Sequence, residues 1–125
     1  MKKLIYCAHS GETIKYSEYI FKFVYDKGYL PLDPFLAIPY YMGTLVCAKG
    51  DKKQCISDTI DLMLHCDEMW VFGEDENDFF IKGGVKNEIN VWKKEKGENT
   101  IKYFTWREVN VPKYVPNSKW HNLEK

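Results

Sequence analysis

Glu88 is the residue whose type and position best suit a nucleophile. It lies in Gly84-Val85-Lys86-Asn87-Glu88-Ile89, four residues after Gly84, where a helix is expected to begin. A carboxylate near a helix start is held ionised by the helix dipole, by about 0.3–1 kcal/mol when exposed, and a nucleophile has to be ionised. A surface glutamate that only complements the dipole would look the same. Asp67 and Asp58 are candidates for a supporting carboxylate, although Asp67 could equally cap the adjoining backbone. His9-Ser10-Gly11 offers a titratable ring, a hydroxyl and a residue suited to a tight turn. His9 reads either as a proton carrier or as a hydrogen-bonded loop histidine. Gly83 and Gly84 would present free backbone N–H groups to an anion. Gly73 closes the run Met69-Trp70-Val71-Phe72. Tyr40 could stack on a flat ring, with core or dimer packing left open beside it.

These residues need elements to hold them. Leu4 to Ala8 is a compact apolar run and reads as a first, central strand. From Thr13 the period becomes helical through Tyr16, Tyr19, Ile20, Phe23 and Val24, and Gly28 is a stop. Tyr29 to Leu32 reads as a second strand, placed at an edge by Pro31. Residues 35–50 receive no firm assignment beyond a partly helical lid. Asp51 to His65 reads as a helix with Ile56, Ile60 and Met63 on one face. Met69 to Phe72 is too short for a helix and suits a buried strand. A third helix runs from about Val85 to Lys96, with Ile89 and Trp92 inward and Gly97 at its end. Ile101 to Thr105 is a fourth strand, and the tail reads as an extended wrap. Strands alternating with helices imply an α/β fold, a small doubly wound parallel sheet of the flavodoxin-like kind, with helices on both faces. In such sheets ligands bind beyond the carboxyl ends of the strands. The loop after strand one, the loop after strand three and the start of the third helix should therefore meet at one edge.

Composition narrows the classes. The 125 residues suffice for one domain over residues 1–125. Apolar residues make up 45% and aromatics 16%, which excludes a disordered tail. Eighteen basic residues balance eighteen acidic ones, which argues against a general binder of nucleic-acid polymers. Arg107 is the only arginine. No apolar run approaches the ~18 residues of a membrane span, and the start shows no long apolar signal core. Cys7, Cys47, Cys55 and Cys66 form no C-x-x-C pair and are expected to be reduced, mostly buried thiols of a cytoplasmic protein. Histidines and cysteines are too scattered for a zinc site.

Four segments together resemble the nucleoside 2-deoxyribosyltransferase superfamily, including its small nucleotide N-hydrolase-like branch. Tyr6-Cys7-Ala8-His9-Ser10-Gly11 is similar to the family's first strand and turn. Lys27-Gly28-Tyr29-Leu30-Pro31-Leu32-Asp33-Pro34 looks like its second strand, and Cys66 to Gly73 like its third. Gly84-Val85-Lys86-Asn87-Glu88-Ile89 is similar to its G-x-x-x-E helix start. The resemblance implies cleavage of the N-glycosidic bond of a nucleoside or nucleotide without a cofactor, with Glu88 attacking the anomeric carbon. It implies Asp67 or Asp58 as supporting carboxylate, and Ser10, Gly11, Gly83 and Gly84 around a phosphate or sugar hydroxyl. A homodimer or higher homo-oligomer is implied as well. The chain departs from the family at two places. Thr59, flanked by Asp58 and Asp61, stands where the transferases carry an aspartate, and Lys82 replaces the usual serine. A non-catalytic nucleotide-binding or sensing module on the same fold is the alternative reading.

Overall fold

The computed structural model describes residues 1–37, 52–77 and 83–116. Four strands form one parallel sheet in the order β2-β1-β3-β4. They are β1 (Leu4–Ala8), β2 (Leu30–Leu32), β3 (Glu68–Gly73) and β4 (Ile101–Thr105). The helices are α1 (Ser17–Asp26), α2 (Pro34–Ala37), α3 (Lys52–Leu64), α4 (Gly83–Lys96) and α5 (Trp106–Val109). A 3-10 segment, Gly11–Tyr16, leads into α1. The expected order of alternation is present, and β1 and β3 are neighbours as the doubly wound reading requires.

Alternation along β1 and β3 divides the core into two layers, because successive strand residues face opposite sides. Tyr6, Ala8, Met69 and Val71 pack with Met63 of α3 and with Val85, Ile89 and Trp92 of α4. Ile5, Cys7, Trp70 and Phe72 pack with Ile20 and Val24 of α1 and Val109 of α5. The second layer is strongly aromatic. Phe104 meets Phe23 and Trp70, each at a centroid distance of 4.9 Å. Both core tryptophans have their indole N–H satisfied, Trp92 by Thr100 Oγ1 at 3.0 Å and Trp70 by Glu68 Oε1 at 2.9 Å.

Local signals explain most boundaries. Gly28 and Gly97 carry φ of 91° and 82°, the left-handed conformation that glycine accepts most readily after a helix. Thr105 and Glu108 form a reciprocal capping box that starts α5, so the tail opens with a helical turn. Val115 is buried further along it. Two expectations need correction. Met63 is buried and Ile60 packs against the same core as expected, but Ile56 is 42% exposed and Cys55 is buried in its place. Cys55 is also disulfide-bonded, whereas Cys7 and Cys66 are free. The cysteines are therefore not all reduced thiols, and they give no support to a cytoplasmic setting. Burial pushes the Cys7 thiol well above its ordinary value, and raises Cys66 to about 12 despite the nearby Lys96 charge. Among the described residues, no helix is long and apolar enough to cross a membrane.

Glu68 anchors the amino-terminal end of the sheet. Burial would raise its pKa, but hydrogen bonds from Trp70, Lys102 and Lys3 outweigh burial and lower it. The two lysine ammonium groups each stand 3.3 Å from its oxygens. A depressed carboxylate contributes stability above its unfolded pKa and loses it as pH falls through the folded one. Glu68→Gln should thus lose about 1–3 kcal/mol near neutral pH, the scale of a charged hydrogen bond. That difference should shrink as the medium is made strongly acidic. Urea unfolding at several pH values reads this, and a constant difference into strong acid would rule out the ionic role.

Candidate functional site

The carboxyl ends of all four parallel strands lie along one edge. Four candidate residues belong to that edge through chain position alone. Ser10 and Gly11 follow β1, Gly73 ends β3, and Gly83 begins α4. Gly84 is the next residue of the helix, and a Cβ there would meet nothing within 4 Å. Tyr40 lies outside the described residues.

Glu88 is the sixth residue of α4, in its second turn and not its first. The dipole term fades beyond the first turn, so something else must govern this carboxylate. Val85, Ile89 and Trp92 form the buried stripe of α4. Glu88 falls on that same stripe, three residues after Val85 and four before Trp92. Its side chain consequently reaches over the sheet, where the Tyr6 hydroxyl donates a hydrogen bond to Oε2. Burial pushes the Glu88 carboxyl up to about 7; the Tyr6 bond and the His9 charge pull it down, and the Asp33 charge adds to the rise. Tyr6 is pushed well above an ordinary phenol, first by burial, then by the Glu88 charge and hydrogen bond. It remains a neutral donor.

Beside this pair is a second polar group, at the ends of β1 and β2. His9 Nε2 is 2.7 Å from Asp33 Oδ2, and neither side chain is exposed to solvent. Ser17 Oγ donates to the same oxygen at 3.0 Å, and Phe35 N donates to Asp33 Oδ1 at 2.9 Å. His9 Nδ1 is 2.8 Å from Thr13 Oγ1, whose single hydrogen goes to the Ser10 carbonyl at 2.8 Å. Thr13 can then only accept from the ring, so Nδ1 donates. Nε2 faces the Asp33 carboxyl, so the ring is hydrogen-bonded at both nitrogens. The trio is not a hydrolytic triad. The Ser17 hydroxyl is buried and bonds the aspartate, not the histidine.

The expected supporting carboxylates lie elsewhere. Asp67 precedes β3 at the opposite, amino-terminal edge, where its Oδ2 accepts from Leu4 N at 2.8 Å. It serves the strand pairing, which corrects its assignment to the site. Asp58 accepts from Gln54 Nε2 at 2.9 Å in an exposed pair on α3. His9 is present at the right edge, but as a buried, fully bonded ring. Tyr6 and Asp33 are the two residues that sequence reasoning missed. Asp33-Pro34 carries the signature of a helix N-cap followed by proline at the first helical position, and Asp33 does open α2. That signal finds the residue but not its burial under His9. The acidic stretch after β3 is exposed from Glu74 to Asn77, and Asp75 Oδ1 accepts from Asn77 N at 2.9 Å. No group of three or more His, Cys, Asp or Glu that could hold a metal ion occurs among the described residues.

The chemistry available is that of a partly desolvated carboxylate poised near neutrality, held by a phenol. No family model, curated protein or solved structure matches the chain.

A carboxyl whose folded pKa of about 7 exceeds the ordinary value of 4.5 binds its proton more tightly when folded. Its contribution to stability is complete below the unfolded value and is lost as pH rises through about 7. Wild-type protein should therefore lose on the order of 2–3 kcal/mol between about pH 5 and about pH 9 that Glu88→Gln retains. Denaturant midpoints that run parallel for the two proteins across this range would refute the desolvation of Glu88.

Proposed function

We propose that the protein cleaves the N-glycosidic bond of a nucleoside or nucleotide, as an enzyme resembling the nucleoside 2-deoxyribosyltransferases. One observation carries this reading. A glutamate on the apolar stripe of α4 turns its carboxyl onto β1, beside the β1–β3 neighbourhood where the strand order reverses. A structural role alone would be better filled by an apolar residue at that position.

In this reading a Glu88 oxygen forms a bond to the anomeric carbon as the C–N bond breaks. The bonding pair leaves with the base nitrogen, which takes up a proton. The transition state is oxocarbenium-like, and the intermediate is an ester of Glu88. Water then releases the sugar, or a second base accepts it. Tyr6 fixes the attacking carboxylate in orientation. No cofactor is required, because carboxylate and water supply every bond that forms.

Glu88→Gln should bind ligand and fold, but lose several orders of magnitude in rate, as nucleophile variants do. Release of free base from a nucleoside and nucleotide panel measures this, and mass spectrometry should find the adduct on the Glu88 peptide. A Gln variant with most of the wild-type rate would remove Glu88 from the chemistry. Only the ionised carboxylate attacks, so kcat/KM should rise with pH through about 7.

The second reading is a nucleotide-binding or sensing module that lacks the chemistry. It is favoured by the positions of Asp67 and Asp58, neither of which is shown beside Glu88. A chain that binds nucleotides yet releases no base from any of them would select it. We also propose at least a homodimer, since aromatic residues are 16% of the chain and are enriched at interfaces. Light scattering that returns a single chain mass at micromolar concentration would count against this.

A further inference from the structure

We propose that Trp106 and Tyr16 form a stacking ledge for the base of a nucleotide, with Lys15 and Arg107 as a cationic rim for its phosphate. The proposal rests on the nucleotide ligand of the reading above and not on the Glu88 chemistry.

The ledge lies at the carboxyl edge of the sheet, on the α1 face. Gly73, which ends β3, is paired with Thr105, which ends β4, and Trp106 is the next residue. Trp106 stacks on Phe72 with 18° between the planes and centroids 6.1 Å apart. Phe72 stacks in turn on Phe104 at 26° and 5.8 Å. Tyr16, at the junction of the 3-10 segment with α1, meets Trp106 edge to face at 4.8 Å. A run of rings thus climbs out of the core and ends at the carboxyl edge in two that are only half-buried.

The polar atoms of these two rings set them apart from the core aromatics. The indole N–H groups of Trp70 and Trp92 are taken by Glu68 and Thr100. The Trp106 N–H and the Tyr16 hydroxyl have no protein partner among the described residues. No side-chain polar atom shielded from water lacks a partner among those residues, so both groups reach solvent. Ring surface and an open donor stand together, which suits a flat guest that carries acceptors. Charge then selects among flat guests. Lys15 Nζ lies 5.6 Å from the centroid of the Tyr16 ring, and Arg107 is exposed on the residue after Trp106. Neither cation has a carboxylate partner among the described residues, whereas Glu108 is held by Thr105. Two unpaired cations, one over Tyr16 and one next in the chain to Trp106, match an anion attached to a heteroaromatic ring, and a nucleotide is such a molecule. A polymer of nucleotides is the poorer match, because the net charge of the chain is zero.

The test is calorimetric titration of the full chain with the common nucleoside 5′-monophosphates, the matching nucleosides and ribose 5-phosphate. At least one monophosphate should bind about tenfold or more tighter than either its nucleoside or ribose 5-phosphate. Trp106→Ala should weaken that binding by about tenfold or more, and Trp106→Phe, which keeps a ring, by less than about threefold. Replacing both Lys15 and Arg107 by Gln should remove the advantage of the monophosphate and leave the affinity for the nucleoside in place. General loosening of the fold would weaken both ligands alike. Monophosphates that bind no better than ribose 5-phosphate, or as well to Trp106→Ala as to wild type, overturn the proposal. Should Trp106→Ala fail to fold, Trp106→Phe decides by fluorescence: the emission that a bound monophosphate quenches in wild type should be absent from the variant, and quenching that persists overturns the ledge. A short single strand that binds about a hundredfold tighter than any monophosphate would assign the ledge to a polymer and overturn the free-nucleotide proposal. Binding that depends on Trp106 in a protein that releases no base would sink the enzyme reading and leave the ledge standing. Base release indifferent to Trp106→Ala would do the reverse.

Discussion

The pairing of β1 with β3 is the constraint on which the rest depends. It sets Ile5 against Glu68 and Ala8 against Val71, and so brings the ends of both strands to one edge. Strands covered on both faces must be apolar along their length, and these are, apart from Tyr6 and Glu68. Each exception is a polar group with its partner supplied. Tyr6 takes Glu88 from α4, and Glu68 takes the indole of Trp70 and two lysines. Moving β3 by one residue would put Trp70 and Phe72 among the α3 and α4 side chains and break both arrangements together.

The two glutamates show how surroundings decide ionisation. Glu68 and Glu88 are the same side chain, and burial acts to raise the pKa of each. At Glu68 three donors, two of them cationic, reverse the sign. At Glu88 the Tyr6 phenol and the more distant His9 do not. The amino-terminal edge is therefore built to keep a carboxylate charged, and the carboxyl-terminal edge to keep one poised. The first arrangement suits a structural tie. The second leaves a carboxyl whose charge varies with pH near neutrality.

Much of the fold was legible because the signals were local. The bounds of β1 and β4 follow from apolar runs, and Gly28 and Gly97 mark two helix ends by their need for positive φ. Parallel topology follows from alternation alone. On α3, Met63 and Ile60 pack inward as their spacing predicts, but Ile56 is exposed because Cys55 fills the neighbouring inward position. The site was half legible. Glu88 can be found from its place on the stripe of Val85, Ile89 and Trp92, independently of any family. Asp33 and Tyr6 cannot be found this way. Their roles arise from which strand lies beside which, a long-range property that no short window contains. Asp67 misled for a related reason: its strand has two ends, and only topology tells which one lies at the edge shared with Ser10 and Gly83.

The short edge strand β2 has a consequence for how the sheet could grow. Leu30 donates its N–H inward to Lys3 of the chain leading into β1, at 2.9 Å. The next N–H along a strand points the other way, toward the open edge, and that residue is Pro31, which has none. The open side of β2 therefore lacks a donor at the centre of its three residues. A fifth strand, from a second copy, would find the Pro31 carbonyl there but no N–H donor. Among the described residues, extension of the sheet through β2 is weakened by one missing hydrogen, and the opposite margin at β4 carries no such proline.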